Sequence, residues 1–338
     1  MTAREYPVFT VTPKAERSLR AGHPWVYGEE VTAVEGAYQN GDMVDVVSNK
    51  GRYLGTGWVN DHSKIRVRII SRNANDTFDE AFFRRRVCYA LNYRKTVMGP
   101  VDYRCCRLIF GEADQFPGLT VDRFENILVT QVLSLGMERR KDWVYRALVE
   151  LLREDGEQID AIYERNDVTI RTLEGLEQGK GFYQMEGLRT DLSGHVTITE
   201  NGIKYDVDYI EGQKTGFFLD QKYNRQAAAK LARGRRVLDC FTHTGAFALN
   251  AAAAGAEHVT AVDVSAFALE LAAENGKRNG LTNLDYKCAD VFDLLTEMAK
   301  EKKCDYDYII LDPPAFTKSR ATAKNAYHGY KEINRKAM

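Results

Sequence analysis

Four aspartates stand where four apolar runs end in the last third of the chain, and their spacing is the first sign of chemistry. They are Asp239 in Val237-Leu238-Asp239-Cys240, Asp263 in Ala261-Val262-Asp263-Val264-Ser265, Asp290 in Cys288-Ala289-Asp290-Val291 and Asp312 in Ile310-Leu311-Asp312-Pro313-Pro314. In a doubly wound sheet the ligand sits at the carboxyl ends of the strands, near the point where strand order reverses. Asp263 lies about 20 positions beyond the loop that follows the first of these strands, the spacing of an acid that accepts from a ribose diol. That loop, residues 239–247, holds one glycine, Gly245, whereas a dinucleotide pyrophosphate needs the close approach of G-x-G-x-x-G. A smaller, less anionic cofactor that lays a carboxylate and an ammonium against the loop needs less room. Taken singly, Asp263 or Asp290 reads first as a helix N-cap. Four acids in register on successive strands read as the rim of a nucleoside-cofactor site.

A second constellation is residues 212–221, GQKTGFFLDQ. Lys214 can neutralise a carboxylate or a phosphate, and Phe217 or Phe218 can stack on a ring. The alternative is a solvated lysine and two core phenylalanines. The six cysteines, Cys88, Cys105, Cys106, Cys240, Cys288 and Cys304, include no C-x-x-C pair and read as reduced thiols; the scattered histidines give no metal-ligand spacing, so no metal is expected.

The elements that must position these residues follow from periodicity. At 338 residues the chain has room for two or three domains. Up to residue 72, β-branched runs at 43–47, 53–59 and 65–70 are separated by glycine turns about 10 residues apart, the rhythm of a small barrel. Residues 71–77 read as a polar linker. A helical pattern over 78–98, strands at 107–110, 118–123 and 126–132, a helix at 137–153 and a strand at 161–165 then suggest an α+β module. A hairpin is expected over 195–209, turning at Asn201-Gly202. Beyond residue 211, strands at 235–239, 259–263, 284–287 and 307–311 alternate with helices, four βα units of a parallel, doubly wound sheet.

Net charge is −1, but residues 154–211 alone carry 5 basic and 14 acidic groups, which masks a mildly basic remainder. Clusters such as Arg84-Arg85-Arg86 and Ile65-Arg66-Val67-Arg68 therefore keep phosphate binding open, against the plainer reading of a solvated face. No apolar run approaches the ~20 residues of a bilayer span, and residues 1–12 carry no apolar signal region, so no membrane partner and a cytoplasmic location are expected.

On these residues, 235–316 resembles the class I S-adenosylmethionine-dependent methyltransferases. The whole chain resembles the PUA-containing 23S ribosomal RNA cytosine-C5 methyltransferases, through Gly22-His23-Pro24-Trp25-Val26-Tyr27, residues 111–123 (GEADQFPGLTVDR), Ile162 to Val168 and residues 212–221. The resemblance implies an α/β fold class. A PUA-like RNA-binding β-barrel (1–72) and a central α+β domain (73–192) would precede a Rossmann-like methyltransferase domain (193–338). S-adenosylmethionine would be the cofactor and large-subunit ribosomal RNA the partner, with a homodimer as a further option.

By the same resemblance the cofactor would touch Asp239, Phe241, Thr242, Thr244, Gly245, Phe247, Asp263, Val264, Ser265, Asp290 (on the adenine side), Val291 and Asp312. The substrate would meet Gln213, Lys214, Thr215, Phe217, Phe218, Pro313, Pro314 and Phe316, with Asp312 and Lys214 catalytic. Asp312-Pro313-Pro314 also admits methylation of an exocyclic amine, but that chemistry places an aromatic directly after the triplet, where this chain has Ala315.

Carbon 5 of cytosine needs a thiolate that adds at C6 and later leaves. No cysteine adjoins the Asp-Pro-Pro, and Cys240 and Cys288 read as structural. In the resembled family the thiol follows a further strand, and strands 5, 6 and 7 of a seven-stranded sheet are not accounted for. The expectation is a C-terminally truncated chain whose fourth strand is an uncovered edge. A non-catalytic RNA-binding module is the second reading; a nicotinamide oxidoreductase is opposed by the single-glycine loop.

Overall fold

The β-branched runs do become strands. In the computed structural model, which describes residues 5–301, 305–317 and 322–338, the first strands are β1 (Val8–Val11), β2 (Trp25–Tyr27), β3 (Val31–Glu35), β4 (Met43–Ser48), β5 (Tyr53–Val59) and β6 (Ile65–Ser71). They form one sheet in the order β2-β6-β5-β4-β1-β3. Helix α1 (Pro13–Arg20), which the strand rhythm does not announce, starts on a proline and is capped by Thr12, whose hydroxyl accepts from the Ala15 N–H at 3.3 Å. The stretch after β6 is a pinned turn rather than a loose linker: Ser71 donates to Asp76 at 2.6 Å, and Arg85 pairs with the same carboxylate.

Next come α2 (Glu80–Val97), α3 (Pro100–Tyr103), β7 (Cys105–Phe110), β8 (Leu119–Phe124), β9 (Ile127–Val132), α4 (Leu135–Glu138), α5 (Lys141–Glu154), β10 (Ala161–Asn166) and β11 (Gly179–Phe182). The sheet order is β11-β10-β9-β8-β7, with β9 and β10 parallel and the other pairs antiparallel. The helix expected over 137–153 is broken at Arg139-Arg140 into α4 and α5. Met43, Trp58 and Ile70 of the first sheet share one apolar core with Phe82, Phe83, Leu148 and Ile162. Gly136 lets this core close: a Cβ there would stand 1.9 Å from the Trp58 ring. Gly136→Ala is therefore expected to destabilise the protein by about 1–3 kcal/mol through overpacking; a urea denaturation midpoint equal to the parent's would disprove the close contact.

The hairpin β12 (His195–Glu200) and β13 (Ile203–Asp208) turns on Asn201 (φ 54°) and Gly202 (φ 80°), the two left-handed residues that a type I′ turn requires. There follow α6 (Lys222–Lys230), β14 (Arg236–Cys240), α7 (Ala246–Ala253), β15 (His258–Asp263), α8 (Ala266–Arg278), β16 (Leu284–Cys288), α9 (Val291–Glu301), β17 (Tyr308–Leu311) and α10 (Ala323–Ala337). The strands form a parallel sheet in the order β16-β15-β14-β17, so strand order reverses beside β14. Ala248, Ala252, Val237 and Val259 pack in one core of this part, and Leu238, Val262, Leu295 and Ile333 in another.

The chain divides into two compact units. One holds the residues up to Val196 together with Val207–Phe217, the other Thr197–Asp206 with Phe218–Met338. Among the described residues no helix is long and apolar enough to cross a membrane.

Candidate functional site

In the second unit, the chain leaving β14 makes a loop with Phe241 (φ 63°), His243 (φ 51°) and Gly245 (φ 80°) all in the left-handed region. Side chains other than glycine rarely adopt this conformation, so it must be held from outside. Asp263, at the end of β15, holds it: Oδ2 accepts from the His243 N–H at 2.8 Å, while Oδ1 accepts from the Ser265 N–H at 2.9 Å. The Thr242 N–H also donates to the Val262 carbonyl at 2.9 Å. A carboxylate offers about four lone-pair sites, so Asp263 keeps acceptor capacity for a diol.

Asp239 lies beneath the loop. Its Oδ2 accepts from the Thr242 hydroxyl at 2.5 Å and the Ala248 N–H at 2.9 Å, and its buried Oδ1 has no hydrogen-bond partner among the described residues. Burial pushes this carboxyl up to about 7, against the pull of those two donors. A ligand ammonium would supply that oxygen with a donor.

Asp290 serves as the N-cap of α9, accepting at Oδ1 from the Phe292 and Asp293 N–H groups at 2.8 and 3.2 Å. The capping alternative therefore holds for that oxygen. Asp312, Pro314 and Ala315 are exposed. Phe316 packs 4.4 Å from Tyr330 and 5.8 Å from Phe292, centroid to centroid, and its N–H donates to the Tyr330 hydroxyl. Val264 is exposed, Val291 is buried, and Thr244 and Phe247 are half-buried.

Residues that sequence reasoning left without a role complete this unit. The buried Arg225 donates to Glu200 Oε1 at 2.6 Å and to the Phe218 carbonyl at 2.7 Å, and its guanidinium lies 5.9 Å from the Phe247 ring. Phe218 meets His243 edge to face at 5.7 Å. Burial, which favours the neutral ring, pushes the His243 imidazole below its usual range, while the Asp263 carboxylate pulls it the other way. No local pattern marks these residues, because each acts through a partner distant in sequence.

In the first unit, the motif segments singled out in the sequence converge on the loop before Phe217. Thr215 donates to the fully buried Asp122 at 2.6 Å, and Arg107 grips both oxygens of the same carboxylate at 2.7 and 2.9 Å. Arg165 donates to the carbonyls of Tyr209 and Gly212 at 3.2 and 2.8 Å. A Cβ on Gly212 would stand 2.1 Å from the Asp208 carbonyl, so the turn demands glycine. Lys214 sits at the tip with φ 55°; Gln213 and Lys214 are exposed, whereas Phe217 is 7% exposed, so its ring belongs to the core and offers no open stacking face. The Gly22 to Tyr27 motif also holds structure together: Trp25 donates to Glu112 at 2.8 Å, and Arg68 reaches Glu112 and Glu174.

The two basic clusters are not open phosphate clamps. Arg84 pairs with Glu150 and Glu154, Arg85 with Asp76, Arg66 with Asp61 and Arg68 as above, while Arg86 donates to the Ile70 carbonyl. Cys105, Cys106 and Cys240 are buried, Cys88 is half-buried, Cys288 is exposed, and Cys304 lies outside the described residues.

Residues 9–72 match a family model described as a PUA-like domain, and residues 183–336 one described as an S-adenosylmethionine-dependent methyltransferase. The ribosomal RNA large subunit methyltransferase I of Photobacterium profundum is 42% identical over 326 residues, 96% of this chain and 80% of that protein. The protein of the same description from Shewanella denitrificans is 42% identical over 330 residues, with the same coverage of 96% and 80%. Among solved structures, a SAM-dependent methyltransferase from Streptococcus mutans superposes with a TM-score of 0.76 at 23% identity, covering 96% of this chain and 82% of the other. A methyltransferase solved with SAH reaches a TM-score of 0.79, also at 23% identity, with 97% and 82% covered. At that identity the likeness establishes the shared fold.

Proposed function

We propose that this chain, which belongs to the ribosomal RNA large subunit methyltransferase I family and is an S-adenosylmethionine-dependent rRNA methyltransferase, places the methyl group on carbon 5 of a cytosine. The observation that favours carbon 5 over an exocyclic amine is the fate of the ring nearest the Asp-Pro-Pro. An amine methyltransferase needs an aromatic there to stack on the flipped base. Here Ala315 holds the position, and Phe316 is committed to Tyr330 and Phe292.

S-adenosylmethionine, when bound, supplies a methyl group activated by its sulfonium. In this reading Asp263 accepts from the ribose diol, Asp290 stands on the adenine side, and the loop from Phe241 to Gly245 lies along the amino-acid portion, with Asp239 and Asp312 drawing on its ammonium. Exposed Gln213 and Lys214 meet the RNA, with Lys214 set against a phosphate, whereas Thr215, expected to touch the substrate, is buried against Asp122 and holds the loop from beneath.

The two cysteines beside the cofactor strands are poorly suited to supply the thiolate that must add at C6. Cys240 is buried and its thiol is pushed up to about 12, first by burial and then by Asp239. Exposed Cys288 closes β16, its Sγ 3.5 Å from the Val264 carbonyl. The chain spans about 80% of the length of the curated relatives above.

The test is methylation of unmodified large-subunit rRNA with labelled cofactor, followed by mass spectrometric mapping. The expected product is 5-methylcytosine. Label on an adenine or guanine amine would overturn the assignment.

A further inference from the structure

Two exposed aromatic rings of the first unit are each backed by an arginine that a carboxylate holds in place. Phe110, at the end of the edge strand β7, is 56% exposed, and the Arg107 guanidinium stands over its ring, 5.3 Å from the centroid. Arg107 is in turn gripped by both oxygens of Asp122. Tyr93, on α2, is 58% exposed, with the Arg94 guanidinium 5.1 Å from its centroid. Arg94 is gripped by both oxygens of Asp114, at 3.0 and 2.6 Å. The two stacks are wired together: Arg94 Nε donates to the Arg107 carbonyl at 2.8 Å, and the Phe110 N–H donates to Asp114 at 2.6 Å.

Single exposed apolar side chains are ordinary surface. Two rings left in water, each with its backing guanidinium held by a bidentate carboxylate, are linked to one another through those hydrogen bonds. Such rings suit the flat face of an unpaired nucleobase, the element of RNA that proteins read by stacking. The pair is also tied to the pinned loop, because Thr215 donates to the same Asp122 that holds Arg107.

We infer that Phe110 and Tyr93 form a stacking surface for unpaired nucleotides of the ribosomal RNA substrate. The inference rests on RNA being the substrate and is independent of which base atom is methylated. Because Arg107 and Arg94 already face aspartates, the surface acts by stacking and adds little phosphate neutralisation.

The test is binding of the full chain to unmodified, protein-free large-subunit rRNA over a range of salt. Phe110→Ala and Tyr93→Ala are each expected to weaken binding by roughly 5- to 100-fold, the effect of losing one base–aromatic stack. Phe110→Trp and Tyr93→Phe should retain it. The slope of log K against log salt should stay at the parent's value, since no phosphate contact is lost, and cofactor affinity should not move. Both side chains are exposed, so thermal unfolding should match the parent. Unchanged rRNA affinity in the double alanine variant would overturn the proposal. So would a shallower salt slope, which means a phosphate contact, or a loss seen with ribosomal particles but not with naked rRNA, which means a protein contact. Loss of methylation in Lys214→Ala beside intact binding in Phe110→Ala would reject the stacking surface and leave the role of the loop standing.

Discussion

Replacing Asp263 by alanine is expected to weaken S-adenosylmethionine binding by roughly two to three orders of magnitude, read by calorimetric titration. One carboxylate performs two tasks. Its oxygens fix the loop after β14 by accepting from the His243 and Ser265 N–H groups at 2.8 and 2.9 Å. The remaining lone pairs accept, in the proposed site, from the two ribose hydroxyls. Hydrogen bonds to a charged acceptor contribute about 1.5–3 kcal/mol each, and ~1.4 kcal/mol is a factor of ten. Alanine also releases His243 from its left-handed conformation, which adds an ordering cost to binding. Asp263→Asn, which keeps one acceptor, should fall between the parent and alanine. Undiminished affinity in Asp263→Ala would place the ribose elsewhere.

The second large effect is on stability. Glu200→Ala is expected to cost the second unit about 3–5 kcal/mol, because it leaves the Arg225 guanidinium buried without its counter-charge. The two side chains are 1% and 3% exposed and meet at 2.6 Å. Their pairing is reinforced by the turn residue beside Glu200: Asn201 donates to the Lys222 carbonyl and to Asn250 of α7, both at 3.1 Å. The hairpin tip is thereby tied to α6 and to the helix that follows the cofactor loop. Urea denaturation measures the loss, and a change under about 1 kcal/mol would show that water reaches the pair. The joint replacement Glu200→Leu with Arg225→Met should recover much of the stability, since apolar residues of similar volume remove both desolvation costs together.

The architecture was largely legible in advance because it is written in short-range pattern. Alternation with period two marks the strands of the first sheet, and βα alternation marks the parallel sheet from β14 to β17. Asn201-Gly202 specifies its turn through backbone conformation alone, and the strand-end acids fall on the sheet's carboxyl edge because side-chain direction follows from strand register. The elements missed were short ones, such as α1 and β11, where eight and four residues give periodicity too little to work on.

What the linear order could not reveal is which charges and rings meet. Arg84-Arg85-Arg86 reads as a basic cluster, yet Arg84 is neutralised by Glu150, 66 positions away. Asp122 becomes a clamp through Thr215, 93 positions on. Phe217 reads as a ring that can stack and Phe316 as a substrate contact until their packing neighbours are seen, while Cys240, read as structural, is indeed buried with its thiol pushed up. From its sequence alone this protein is determined as a strand-rich N-terminal part followed by a parallel α/β domain with acids along its rim. Local periodicity and turn chemistry depend only on neighbours a few residues apart. Only the tertiary structure decides which of those acids, bases and rings are still available to a ligand. Desolvation and ion pairing act over a few ångströms of space, whatever the separation along the chain.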